Sequence, residues 1–291
     1  MLGSVLTAIV TPFDEKGKID YDAFQRLANH LVDHGSDGIV VAGTTGEAPT
    51  LSESERKELV RAAVEAIGAR ATVVAGTGTY STRQSVCLTE AAHELGADAF
   101  LVVTPYYNKP PQRGIVAHFE AIAKASDRPI VVYNIPSRVV VNIEPETISR
   151  LAEIETVQAV KQAHDDIGEA RHIVSTGLDL YAGDDNLLLP FLELGGVGVI
   201  SVLAHIVGET MATEVDAAVK GDMTRARELD RSLAPAYELL GVTTNPIPIK
   251  TALELLGHDV GGFRLPLVPP TDDELARVRD CLARLGVPAA A

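Results

Sequence analysis

The chain has no tryptophan, only two cysteines and three methionines, and aromatic residues make up 4% of its 291 positions. Cys87 and Cys281 lie far apart and form no CxxC spacing, which excludes a disulfide framework and a cysteine-based zinc site. Positive charge is also scarce, with 25 Lys and Arg against 40 Asp and Glu and a formal net charge of -15. Such a balance repels phosphate backbones and anionic bilayers, so neither nucleic acid nor a membrane is expected as a partner. No apolar run approaches the ~20 residues of a membrane span. The opening Met1-Leu2-Gly3-Ser4-Val5 lacks the basic region and long apolar stretch of a signal peptide, which predicts a cytoplasmic protein. Low-complexity sequence is confined to Pro288-Ala289-Ala290-Ala291, predicted to fray.

What is present is core material, 46% hydrophobic residues with 22% charged. Short apolar runs bounded by turn signals occur at 5–10, 38–42, 72–75, 99–103, 129–133, 156–160, 178–182 and 197–202. Amphipathic stretches such as 21–34, 52–67 and 81–95 lie between them. Strand then helix, repeated, implies a parallel sheet, and the near-continuous apolarity of the strands implies that both faces are covered. Eight such units close a (β/α)8 TIM barrel. An open doubly wound sheet is disfavoured because Thr11-Pro12-Phe13-Asp14, and not a glycine-rich dinucleotide fingerprint, follows the first strand. Stretches 209–219, 223–240, 249–256 and 272–285 read as four further helices. The first closes the barrel and the others form a C-terminal helical appendage, giving a barrel over 1–222 and a helical domain over 223–291.

In a barrel of this kind the chemistry gathers where the βα loops converge, at the C-terminal ends of the strands. Among the eight lysines only Lys161 directly ends a buried strand pattern. Burial there lowers an amine's pKa and frees it to attack a carbonyl, whereas pairing with Asp165 or Asp166 would make it structural. Tyr133 ends the neighbouring strand, and its phenol could shuttle protons during imine formation. Tyr106 and Tyr107 add phenols at the same rim. Arg138 follows strand five, either as a bidentate carboxylate clamp or as a solvated surface charge. Gly43-Thr44-Thr45-Gly46-Glu47 offers backbone N–H groups and two hydroxyls to a carboxylate, or else a satisfied turn. No metal is expected. His30 and His34 share a helix face without an evident third ligand, and Asp184-Asp185 reads as the cap of a helix starting near Asn186.

Together, Gly43-Thr44-Thr45-Gly46-Glu47, Tyr107, Tyr133, Arg138, Lys161, Gly183-Asp184-Asp185, Asn245-Pro246-Ile247-Pro248-Ile249-Lys250 and Arg264-Leu265-Pro266-Leu267 resemble the dihydrodipicolinate synthase family of pyruvate-dependent class I aldolases. The resemblance spans nearly the whole chain. It implies a homotetrameric barrel that condenses pyruvate with L-aspartate 4-semialdehyde in lysine and diaminopimelate biosynthesis and needs no cofactor. By the same resemblance Lys161 forms the imine. Thr44, Tyr133 and Tyr107 relay protons, with Tyr107 crossing a dimer interface. Thr45 holds the pyruvate carboxylate, Arg138 receives the semialdehyde carboxylate, and Gly183 and the Ile200 carbonyl line the pocket. The chain departs from the family's pattern after Arg138, where Val139-Val140-Val141 stand, and at Gln162-Ala163-His164, where an acid is common. The alternatives are a related aldolase acting on sialic acid or a ketodeoxy sugar acid, a metal-dependent aldolase, and a non-catalytic small-molecule-binding barrel.

Overall fold

The structure, a computed structural model, describes residues 2–287; the terminal 288–291 stretch lies outside them. Eight strands, β1 Val5–Ala8, β2 Gly38–Val41, β3 Thr72–Gly76, β4 Ala99–Val103, β5 Ile130–Asn134, β6 Val157–Gln162, β7 Asp179–Ala182 and β8 Gly198–Ser201, pair in parallel in sequence order. The pairing of β8 with β1 closes the barrel.

Alternation along each strand divides the core in two. Leu6, Val40, Val74, Leu101, Val131, Ala159, Tyr181 and Ile200 fill the barrel interior. Their neighbours Val5, Ile39, Val73, Phe100, Val132, Val160 and Leu180 pack outward against the helices. Both faces are therefore dry, which is why the strands read as continuous apolar runs.

The helices between strands are α1 Tyr21–Asp33, α2 Glu53–Ile67, α3 Thr82–Glu94, α4 Gln112–Ala123, the short α5 Pro136–Val139, α6 Pro145–Leu151, α7 Ile167–Ser175 and α8 Leu188–Leu192. Ser52 caps α2 in a reciprocal capping box with Glu55, and Ser81 caps α3, as their sequence patterns predict. After β8 come α9 Ala204–Val219, α10 Met223–Ser232, α11 Ala234–Leu240, α12 Ile247–Leu255 and α13 Asp272–Arg284.

Two expectations change here. The helix expected over 223–240 breaks after Ser232, because Pro235 sits at the start of α11, where its missing N–H costs nothing. The helix expected from 209 begins at Ala204 and carries non-helical dihedrals at Val207. No helix among the described residues is long and apolar enough to cross a membrane.

Candidate active site

Strand register sets the site. Tyr133 on β5 stands opposite Lys161 on β6, and alternation turns both side chains into the barrel, above Val131 and Ala159. Both are buried, and the Lys161 Nζ lies 4.4 Å from the Tyr133 ring centroid. Lys161 lies within β6, one residue before its end. Neither Asp165 nor Asp166 pairs with it; Asp166 instead caps α7 by accepting from the Glu169 N–H. Burial, with a contribution from Arg138, pushes the Lys161 amine down to about 8 against the opposing pull of Asp184 and Asp185. Burial pushes the Tyr133 phenol up, so it stays protonated at neutral pH, with Thr44 as its hydrogen-bonding neighbour.

A cavity of about 440 Å³ opens above this pair, and Thr44, Thr45, Arg138, Gly183 and Asp184 line it with Lys161 and Tyr133. A second cavity of about 230 Å³ adjoins it, bounded by Thr44, Tyr133 and Arg138 on the shared side and by Arg56 and Tyr106 beyond. Thr45 is buried, and its Oγ1 accepts from the Asn245 Nδ2 at 3.0 Å, which leaves the hydroxyl proton free for a ligand oxygen. Arg138, on α5, is exposed at the mouth and donates to the Asn245 carbonyl at 3.4 Å. A Cβ on Gly183 would meet Ala163 at 2.8 Å, so the ends of β6 and β7 approach only because position 183 has no side chain.

Two of the residues singled out in the sequence lie apart from this group. Ile200 is fully buried on β8 inside the barrel and is not among the residues lining the cavity, where Val202 stands. Tyr107 is 92% exposed, with φ 70, and is not among the residues lining the cavity.

The acidic pair is corrected. Asp185 does not cap the turn at Asn186; its carboxylate accepts from the Ser201 hydroxyl and from the Val202 and Leu203 N–H groups, tying β7 to the start of α9. A third imidazole, His258, packs against His30 with centroids 4.5 Å apart and the rings tilted by 51°, but no cluster among the described residues could hold a metal ion.

Sequence reasoning also missed the far wall. Tyr237 on α11 and Thr243, Thr244 and Asn245 in the loop between α11 and α12 line the cavity together with Lys161. In the sequence Asn245 opens the motif Asn245-Pro246-Ile247-Pro248-Ile249-Lys250, but nothing local to that motif assigns it to the pocket.

Comparison with known proteins identifies the family. The model of the dihydrodipicolinate synthetase family matches residues 1–285. The 4-hydroxy-tetrahydrodipicolinate synthase of Desulforudis audaxviator is 48% identical over 280 residues, 95% of each chain, and that of Moorella thermoacetica is 48% identical over 288 residues, 98% of this chain and 99% of the relative. The crystal structure of DHDPS from Cyanidioschyzon merolae with lysine bound superimposes with a TM-score of 0.96 at 42% identity, covering 98% of this chain and 99% of that one. The chain belongs to the dihydrodipicolinate synthetase family, lyases of the class I aldolase type.

Proposed function

We propose that this chain condenses pyruvate with L-aspartate 4-semialdehyde through an imine on Lys161, the step of lysine and diaminopimelate biosynthesis that its relatives' name denotes. The observation that carries this reading is a buried amine with a pKa near 8, without a carboxylate partner, under a protonated phenol in a cavity.

The neutral Lys161 amine attacks C2 of pyruvate, its two N–H protons pass to the carbonyl oxygen, and that oxygen departs as water, leaving the imine. Loss of a C3 proton gives the enamine, whose C3 bonds to the aldehyde carbon as that oxygen is protonated. The semialdehyde's own amine then attacks C2, closes the ring and releases Lys161. Tyr133 and Thr44 move the protons, completed by Tyr107 from a neighbouring subunit of a cytoplasmic homotetramer; the exposure of Tyr107 in the single chain supports that assignment. Thr45 holds the pyruvate carboxylate, Arg138 that of the semialdehyde, and Gly183 lines the pocket. We also place the boundary between barrel and helical domain at 222, supported by Gly221 at φ 81 and by Asp222 capping α10.

Borohydride reduction with pyruvate is expected to add one three-carbon unit per chain at Lys161 and none to Lys161→Ala. An adduct on another lysine overturns the assignment. Faster turnover of a ketodeoxy sugar acid than of the semialdehyde overturns the second substrate.

A further inference from the structure

Behind the Lys161 and Tyr133 pair, on the outer face of the same two strands, lies a ring of polar side chains that the chemistry above does not use. Asn134 and Gln162 each follow the reacting residue by one position and stand opposite one another in the β5–β6 register. Alternation turns them away from the cavity, and both are buried.

Asn134 Nδ2 donates to Gln162 Oε1 at 3.0 Å and to Asn142 Oδ1 at 2.8 Å. The other ends of those amides converge on one carboxylate. Gln162 Nε2 donates to Glu169 Oε2 at 3.2 Å, and Asn142 Nδ2 donates to Glu169 Oε1 at 2.6 Å. The ring Asn134, Gln162, Glu169, Asn142 is therefore closed. It is fastened outside by the Ile143 N–H on Asn134 Oδ1 and by the His164 Nδ1 contact with Glu169 Oε2 at 3.0 Å.

The charge in this ring decides its direction. A carboxylate only accepts, so both amides that meet Glu169 must turn NH₂ toward it and present C=O to Asn134, whose NH₂ serves both. With a neutral acceptor-donor at 169, either amide could flip and break the bridge between the strands. That bridge matters because the β5–β6 ladder is irregular between Ile130 and Val131, so its register is pinned at the C-terminal end.

We propose that Glu169 is a positioning residue: by orienting the ring Asn134–Gln162–Glu169–Asn142 it clamps the ends of β5 and β6 and so holds the Tyr133 phenol against the Lys161 amine. The inference rests on the imine chemistry assigned to Lys161. A positioning residue acts on the rate at the reacting atoms, because small misplacement of reacting groups costs more than binding does.

The test is a charge swap read by the single-turnover rate of pyruvate adduct formation under borohydride, with KM and thermal midpoint measured alongside. Glu169→Gln and Gln162→Glu are each expected to slow adduct formation by about tenfold or more with KM for pyruvate changed less than about threefold. The double variant Gln162→Glu with Glu169→Gln rebuilds a closed ring in which only the 162–169 bond reverses: the carboxylate now at position 162 accepts from Asn134 and from the amide at position 169, whose C=O in turn accepts from Asn142. It is expected to recover the rate to within about threefold of the parent chain. Unchanged adduct rates in the folded single variants, a lowered midpoint with an unchanged rate, or a double variant no faster than the singles each overturn the proposal. If Glu169→Gln does not fold, Asn142→Ala opens the ring on the side away from the barrel and must show the same slowing. A parent chain with no adduct at Lys161 refutes the imine reading itself, and so is distinguished from failure of the ring.

Discussion

Lys161 and Lys250 are both buried, one inside the barrel and one where the C-terminal helices meet it, and their surroundings are opposite. Lys250, on α12, spends all three N–H bonds: on Glu47 Oε1 and the Thr11 carbonyl, each at 3.0 Å, and on the Gly262 carbonyl at 2.5 Å. The Phe13 ring lies 4.5 Å from the same nitrogen. Nearby, Arg264 grips Glu55 with two bonds at 2.9 and 2.6 Å. Burial lowers the Lys250 pKa, and Glu47 pulls it back. Lys161 has no hydrogen bond or ion pair among the described residues, only the phenol ring beside it. The contrast teaches that burial alone does not make a reactive amine. A saturated lysine is a fastener, and an unsaturated one is a nucleophile whose desolvation the rest of the fold must sustain.

The sharpest way to break the comparison is to remove each nitrogen in turn. Lys250→Met leaves the Glu47 carboxylate buried without its cation, and such half-pairs cost about 3–5 kcal/mol. Urea denaturation at pH 7 should show that loss. A loss below about 1 kcal/mol would mean that the Arg264 N–H, at 3.2 Å from Glu47 Oε2, suffices to hold the charge.

Lys161→Met should do the reverse and stabilise the fold while removing activity. The folded pKa of about 8 lies below the ordinary 10.5, so the unfolded chain binds that proton more tightly and the native state carries the penalty wherever the amine is charged. At ~1.4 kcal/mol per pKa unit the gain is up to about 3–4 kcal/mol. It is full below pH 8, shrinks between pH 8 and 10.5, and vanishes above. Denaturation at pH 7 and again at pH 10.5 checks both size and sign, and equal stability of the two chains at pH 7 would show that the amine is solvated.

Much of this was legible in the sequence because it is local. Strand ends, the caps at Ser52 and Ser81 and the place of Lys161 at the close of an apolar run follow from periodicity and backbone chemistry, and the closed barrel follows from their number and order. What escaped was set by contacts between distant segments. Thr45 meets Asn245 across 200 residues, and Lys250 meets Glu47 across 203. Asp185 resembled a local helix cap until Ser201 at the end of β8 and the Val202 and Leu203 N–H groups after it supplied three better donors. Tyr133 and Lys161, 28 residues apart in the chain like the Asn134–Gln162 pair behind them, were within reach of reasoning because adjacent parallel strands fix who stands beside whom.

The smallest effect, and the one that separates the two lysines without mutation, is the pH dependence of imine formation. Only the neutral amine attacks pyruvate, so the adduct rate should rise about tenfold per pH unit below the Lys161 pKa and level off above about 8. At Lys250 the Glu47 carboxylate favours the charged amine and so opposes that release. Neighbouring charges give the midpoint a direction of travel. Asp184, at the cavity mouth, favours the charged amine, so Asp184→Asn should move the midpoint down; Arg138 disfavours it, so Arg138→Ala should move it up. Rates measured from pH 6 to 10 in the three proteins test the set, and opposite shifts of the two variants are the expected result. A midpoint that neither variant moves would place the titrating group outside this cavity and end the claim that Lys161 is the unpaired member of the pair.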